Sequence, residues 1–114
     1  MYFQLIKDKA LDTYYGNVPI PDWTDTSQAD TFEFGWSDML LMRDDFTGPI
    51  NSICDTLFDI GDVDFIPADK CVGLSRWLEL RQESCRGRLH QLYGILYSYA
   101  QRAIDLDTGV VVEL

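Results

Sequence analysis

Apolar residues from Leu74 through Trp77, Leu78, Cys85, Leu89, Leu92, Tyr93, Leu96, Ala100 and Ala103 to Ile104 fall at helical spacing. A three-and-four rhythm kept up over about eight turns commits the carboxyl half to amphipathic helix. Ser84 and Gly87 interrupt it near the middle, and a glycine inside a helix costs roughly 1 kcal/mol relative to alanine. The pattern predicts two helices, about 70–83 and 86–105, or one long bent helix. Asp105-Leu106-Asp107-Thr108-Gly109 ends it.

A helix with one apolar stripe must bury that stripe against another layer. The candidates are short and extended. Residues 2–6 are apolar and aromatic, and residues 31–36 alternate, which would put Phe32, Phe34 and Trp36 on one face. Met39-Leu40-Leu41-Met42 reads as a further buried strand in preference to a helical turn, residues 63–67 as a short extended connector, and Val110-Val111-Val112 as a last β segment. Thr47-Gly48-Pro49 reads as a helix start with proline at the first helical position. Ile50, Ile53, Cys54, Leu57 and Phe58 would follow on one face, with Gly61 as the stop, giving a helix over 49–60.

The expected fold class is therefore α+β: a small antiparallel sheet of three or four short strands packed against two or three helices, with a long amphipathic C-terminal helix. At 114 residues the chain has the size of one domain, 1–114. Lone short strands are unstable, so the β segments must pair with one another. A valine strand left at an uncovered edge would instead be a docking point by strand addition.

Between the first two strands, residues 12–31 carry Gly16-Asn17, Pro19, Pro21 and many Asp, Ser and Thr. That is loop chemistry. A loop approaching twenty residues is long for a compact domain and such loops are often functional. Tyr14, Tyr15 and Trp23 lie in it, either to pin it to the core or to be displayed to a partner.

The charge is uneven. Residues 10–69 hold thirteen acids against Arg43 alone, a net of −12, whereas the remaining residues hold six acids and eight bases, a net of +2. Such a field repels nucleic acid, whose binding needs cations on the protein, and it steers cationic partners. Fifteen of the nineteen acids are aspartates, so turn formation and solubility compete with partner binding as their role. Arg76, Arg81, Arg86, Arg88 and Arg102 are expected to neutralise the acidic half within the fold.

No catalytic signature emerges. His90 is the only histidine, which excludes a multi-histidine metal site within one chain. Cys85 and His90 are about 500° apart around a helix and so face different ways. Cys54, Cys71 and Cys85 are odd in number and form no CxxC pair, so they read as structural thiols. Asp59-Ile60-Gly61-Asp62-Val63-Asp64 clusters carboxylates around a glycine but lacks the EF-hand order. The glycines form no Walker loop, GxGxxG fingerprint or nucleophile elbow. No cofactor is implied.

No stretch reaches the roughly 18 apolar residues of a membrane helix, and the first residues lack the features of a signal peptide. A cytoplasmic location and no membrane partner are expected. Small, acidic and without catalytic motifs, the chain resembles bacterial toxin-neutralising immunity proteins in physical character, though in no specific residue. The expected function is a non-catalytic protein-binding domain that neutralises a basic partner such as a toxin nuclease. Trp23, Trp36 and Tyr15 would be anchors, and Asp22, Asp25, Asp30, Asp44 and Asp45 would supply the field. The alternatives are a homodimer built on the C-terminal helix and a small-molecule-binding domain.

Overall fold

The elements run β1 (Tyr2–Ile6), β2 (Tyr14–Tyr15), β3 (Val18–Pro19), β4 (Ala29–Glu33), α1 (Trp36–Cys54), β5 (Val63–Pro67), α2 (Ala68–Ser84), α3 (Gly87–Leu106) and β6 (Gly109–Glu113). They come from a computed structural model that describes residues 1–56 and 62–114. The architecture is the expected α+β one, with three helices against a four-stranded antiparallel sheet and a separate two-stranded hairpin.

The sheet order is β4-β1-β6-β5. The final strand thus lies in the interior, hydrogen-bonded to β1 on one side and β5 on the other. Three successive valines suit a strand covered on both faces, where alternation with polar residues would be costly. Gly109 opens this strand because the neighbouring chain comes too close for a side chain: a Cβ there would meet the Ile66 carbonyl oxygen at 2.6 Å. Docking through an uncovered β6 edge is ruled out by this pairing.

Register sorts the side chains. Phe3 and Leu5 of β1, Val110 and Val112 of β6 and Ile66 of β5 face the helices. There they meet Met39, Met42, Phe46 and Ile50 of α1, Leu74 and Leu78 of α2, and Leu92, Tyr93 and Leu96 of α3, all fully buried. Ile6, Ala29 and Val111 point the other way and pack with Val18 of the hairpin, flanked by Tyr2, Val63 and Phe65.

The carboxyl half forms two helices. Cys85 and Arg86 are extended between them, and Gly87 turns the chain with φ +63°. The αL region is open to glycine at little cost. The last turn of α3 is closed by Thr108 N–H donating to Ala103 O (3.0 Å) and Asp107 N–H to Ile104 O (3.2 Å), with Asp107 in the αL region.

Four expectations fail in the first half of the chain. Met39-Leu40-Leu41-Met42 is helical, not a strand. Pro49 does not start a helix; it lies well inside one that begins at Trp36 and ends at Cys54, short of residue 60. The reason is visible in the burial, since Met39, Met42, Phe46, Ile50 and Cys54 form one continuous stripe through the proline. Proline has no N–H to offer the Asp45 carbonyl, but Gly48 and Pro49 are on the exposed side, so packing on the other side holds the helix. Leu57, Phe58 and Gly61 lie outside the described residues. Trp36, as the first helical residue, does not share a strand face with Phe32 and Phe34. Finally, residues 12–31 are not wholly irregular. Gly16, at φ +60°, turns the short hairpin in which Tyr14 pairs with Pro19 and Tyr15 with Val18.

Candidate functional site

The two faces of the sheet differ in how their carboxylates are used. On the helical side each of three arginines reaches back to an acid of the front half. Arg81 grips Asp45 through Nε (3.0 Å) and Nη2 (2.9 Å), Arg88 grips Asp38 through Nε (3.0 Å) and Nη2 (2.9 Å), and Arg102 Nη1 lies 2.9 Å from Asp30. Lys7 Nζ adds a bond of 3.1 Å to Asp30. The buried Tyr93 hydroxyl donates to Asp45 Oδ2 at 2.6 Å. Burial pushes the Asp45 carboxyl up, but these donors outweigh it and hold its pKa below the usual value; Asp30 shows the same balance. The hydrogen bonds from Arg88 lower that of Asp38.

Two members of the expected partner surface, Asp30 and Asp45, are therefore partly buried and already engaged within the fold. Asp44 is exposed on α1, with Arg43 Nε 3.5 Å away. Trp36 is 60% exposed at the start of α1. These positions do not come together with the rest.

Tyr15 and Trp23 do, with Asp22 and Asp25 in the turns on either side of Trp23. The hairpin and the segment after it lie over the non-helical face of the sheet, leaving a slot of about 220 Å³. Tyr2 and Gln4 of β1, Val63 of β5, Val18, Pro19, Ile20 and Pro21 line it together with Tyr15 and Trp23. Tyr15 is 73% exposed and Trp23 50%. The Trp23 and Tyr2 rings meet edge to face, with centroids 4.9 Å apart and planes at 81°. Trp23 is thus both pinned and displayed.

Its loop is held by its own acids. Asp22 Oδ1 accepts from Thr24 N–H (2.9 Å) and Oγ1 (2.7 Å), and Asp25 Oδ1 accepts from Ser27 N–H (2.9 Å) and Oγ (2.6 Å). Gln28 Oε1 accepts the Asp22 N–H at 2.8 Å. The hydroxyl and amide donors lower both carboxyl pKa values, so both stay ionised. Among the described residues, no arginine reaches Asp22, Asp25 or Glu33.

Tyr2 and Glu33 are not among the residues expected at the partner surface. Register places them: Tyr2 stands opposite Glu33 on β4 and Glu113 on β6, and directly opposed residues in an antiparallel pair project to one face. The alternation of β1, with polar Gln4 between apolar Phe3 and Leu5, is the signal that marks this less covered face.

Elsewhere the chemistry is quiet. Burial raises the Cys54 thiol to about 11 and the Cys71 thiol to about 12, so both are protonated and inert at neutral pH. Cys85 is buried, whereas His90 is exposed with Nδ1 2.9 Å from the Gln82 carbonyl oxygen. Among the described residues no group of three metal-ligating side chains is assembled, and no helix is long and apolar enough to cross a membrane. Of the Asp59–Asp64 cluster, Asp59, Ile60 and Gly61 lie outside the described residues. A wider, shallow groove of about 600 Å³ runs along α3 past Arg88, Gln91, Gly94, Ile95, Ser98 and Tyr99. All six come from one helix, and Arg88 is bound to Asp38. The apolar stripe of α3 itself is taken up inside the fold. No protein-family model matches the chain, and neither a curated protein nor a solved structure matches it significantly.

Proposed function

We propose that this domain is a non-catalytic module that binds a basic protein through the hairpin side of its sheet. The observation that carries the reading is the separation of charge: the arginines of the helical half pair with Asp30, Asp38 and Asp45, while among the described residues Asp22, Asp25 and Glu33 form no ion pair, Asp25 feeling only the more distant field of Lys7, and keep negative charge beside half-exposed aromatic rings. Aromatic anchors within a charged surround are the usual composition of an affinity-determining patch, and uncompensated carboxylates raise the association rate of a cationic partner. A toxin nuclease, whose cleft is basic because its substrate is anionic, is the kind of partner this face would block.

The test is a charge-reversal set measured by surface plasmon resonance against a panel of basic nuclease domains at low and high salt. A triple variant D22K/D25K/E33K should abolish binding of any domain that the parent retains, and high salt should do the same. Reversal at Asp44, on the helical side, should leave binding intact. Binding that survives the triple variant, or a parent that retains none of the panel, would overturn the reading.

A further inference from the structure

We infer that the slot between Tyr2, Tyr15 and Trp23 receives a single arginine side chain from an extended segment of the basic partner. The inference rests on the functional reading above and adds the occupant. Size comes first. At about 220 Å³ the slot is below the roughly 300 Å³ at which small-molecule sites begin, and it is open at the surface, as a site for one projecting side chain must be.

The walls specify what that side chain carries. The edge-to-face corner of Tyr2 and Trp23, with Tyr15 beside it, presents aromatic surface to the incoming group, which favours a cation. Pro19, Ile20 and Pro21 complete an apolar lining for the methylene stem. Around the slot the fixed charge is negative: Glu33 and Glu113 flank Tyr2 in the same row of the sheet, and Asp22 and Asp25 border Trp23. Glu113 already holds the Met1 ammonium at 3.1 Å, which leaves Glu33 as the free carboxylate of that row. A planar guanidinium both stacks on an aromatic ring and bonds a carboxylate through its edge, and it sheds water more readily than an ammonium. Arginine fits these demands better than lysine. The turn bonds of Asp22 and Asp25 fix the loop before the partner arrives, so little ordering is lost on binding.

The test follows the Trp23 indole N–H by two-dimensional NMR during titration, at low salt, with the peptide Gly-Ser-Arg-Arg-Gly-Ser. Its lysine and citrulline counterparts serve as comparators. The arginine peptide should move the Trp23 signal and leave Trp36 and Trp77 in place. The lysine peptide should bind several-fold more weakly, and citrulline, a neutral isostere, should not bind measurably. Trp23→Ala should weaken arginine-peptide binding about tenfold, Glu33→Gln by about threefold, and Trp36→Ala not at all. Trp23 and Tyr15 are exposed enough for their alanine variants to fold, and Tyr15→Ala should repeat the loss. Equal binding of citrulline and arginine peptides, or binding that W23A and Y15A leave unchanged, would overturn the inference. If no peptide binds while the parent still retains a basic nuclease domain in a charge-sensitive way, the slot is not the seat of recognition and the functional reading stands.

Discussion

The two faces of the sheet are built from the same strands and finished differently. On the helical face every large side chain of β1 is enclosed, and Asp30, Asp38 and Asp45 each have an arginine. On the hairpin face a two-residue pair of strands covers only part of the sheet, leaving Tyr15 and Trp23 largely in water and, among the described residues, Asp22, Asp25 and Glu33 without an ion pair. Stability is concentrated on one face and available surface on the other. The difference explains why an excess of acid need not destabilise the domain: charge is neutralised where burial would make it costly and left free where water screens it.

The most direct way to break this comparison is to truncate one aromatic on each face. Phe3→Ala should cost about 3–5 kcal/mol in urea denaturation, the usual range for a buried phenylalanine, and Trp23→Ala far less. Similar losses would mean that the hairpin face is part of the core. Next comes Asp45→Ala, which leaves the buried Tyr93 hydroxyl without its acceptor and should cost about 1–3 kcal/mol; Tyr93→Phe in the same background should recover part of that loss. A mutant cycle showing no coupling would remove the Asp45–Tyr93 bond from the account.

Glycine offers a sharper comparison, because Gly87, at the start of α3, and Gly16, in the hairpin, have nearly the same positive φ. Alanine at either position should introduce about 1–2 kcal/mol of backbone strain. At Gly87 the strain should appear as a lower global Tm. At Gly16 it should appear mainly as faster amide exchange in the hairpin, with Tm little changed, if the hairpin opens on its own.

The smallest effect is the acid response. Asp30, Asp38 and Asp45 have native carboxyl pKa values below the ordinary 3.8. The unfolded chain therefore takes up their protons first as pH falls. The stability they contribute is complete above 3.8 and disappears as pH drops through the lowered native values. Asp38→Asn should lower the denaturation midpoint modestly at neutral pH and flatten its decline below pH 4. An unchanged acid limb would show that the Arg88 pair adds nothing measurable.

Much of the fold was legible in the sequence because its signals are local. The stripe from Leu74 to Ile104, the alternation near Phe32 and the valine run each mark an element through their own neighbours. The region around α1 was not legible, because Pro49 and Gly48 outweigh, in any local reading, a stripe that only tertiary packing keeps helical. The hairpin was hidden by length: two residues per strand are too few to alternate. The same limit applies to the site. Tyr15 and Trp23 could be singled out as loop aromatics, but Tyr2 and Glu33 join them only through strand register. Asp30 and Asp45 look as free as Asp22 until their arginines, at least 36 residues away in the chain, are brought to them.

The interior position of β6 has a consequence for the order of folding. β1 and β5 each bond to β6 and not to each other, so the sheet is two separate pieces until its last strand arrives. Tyr2 and Glu113 are cross-strand partners 111 residues apart in sequence, and joining them closes a long loop, with the entropy that entails. The α2–α3 pair, whose contacts are near in sequence, can form long before. Sheet assembly is then the slow step, and while it waits the β6-facing edges of β1 and β5 are exposed together, as a target for misassociation that the finished sheet covers.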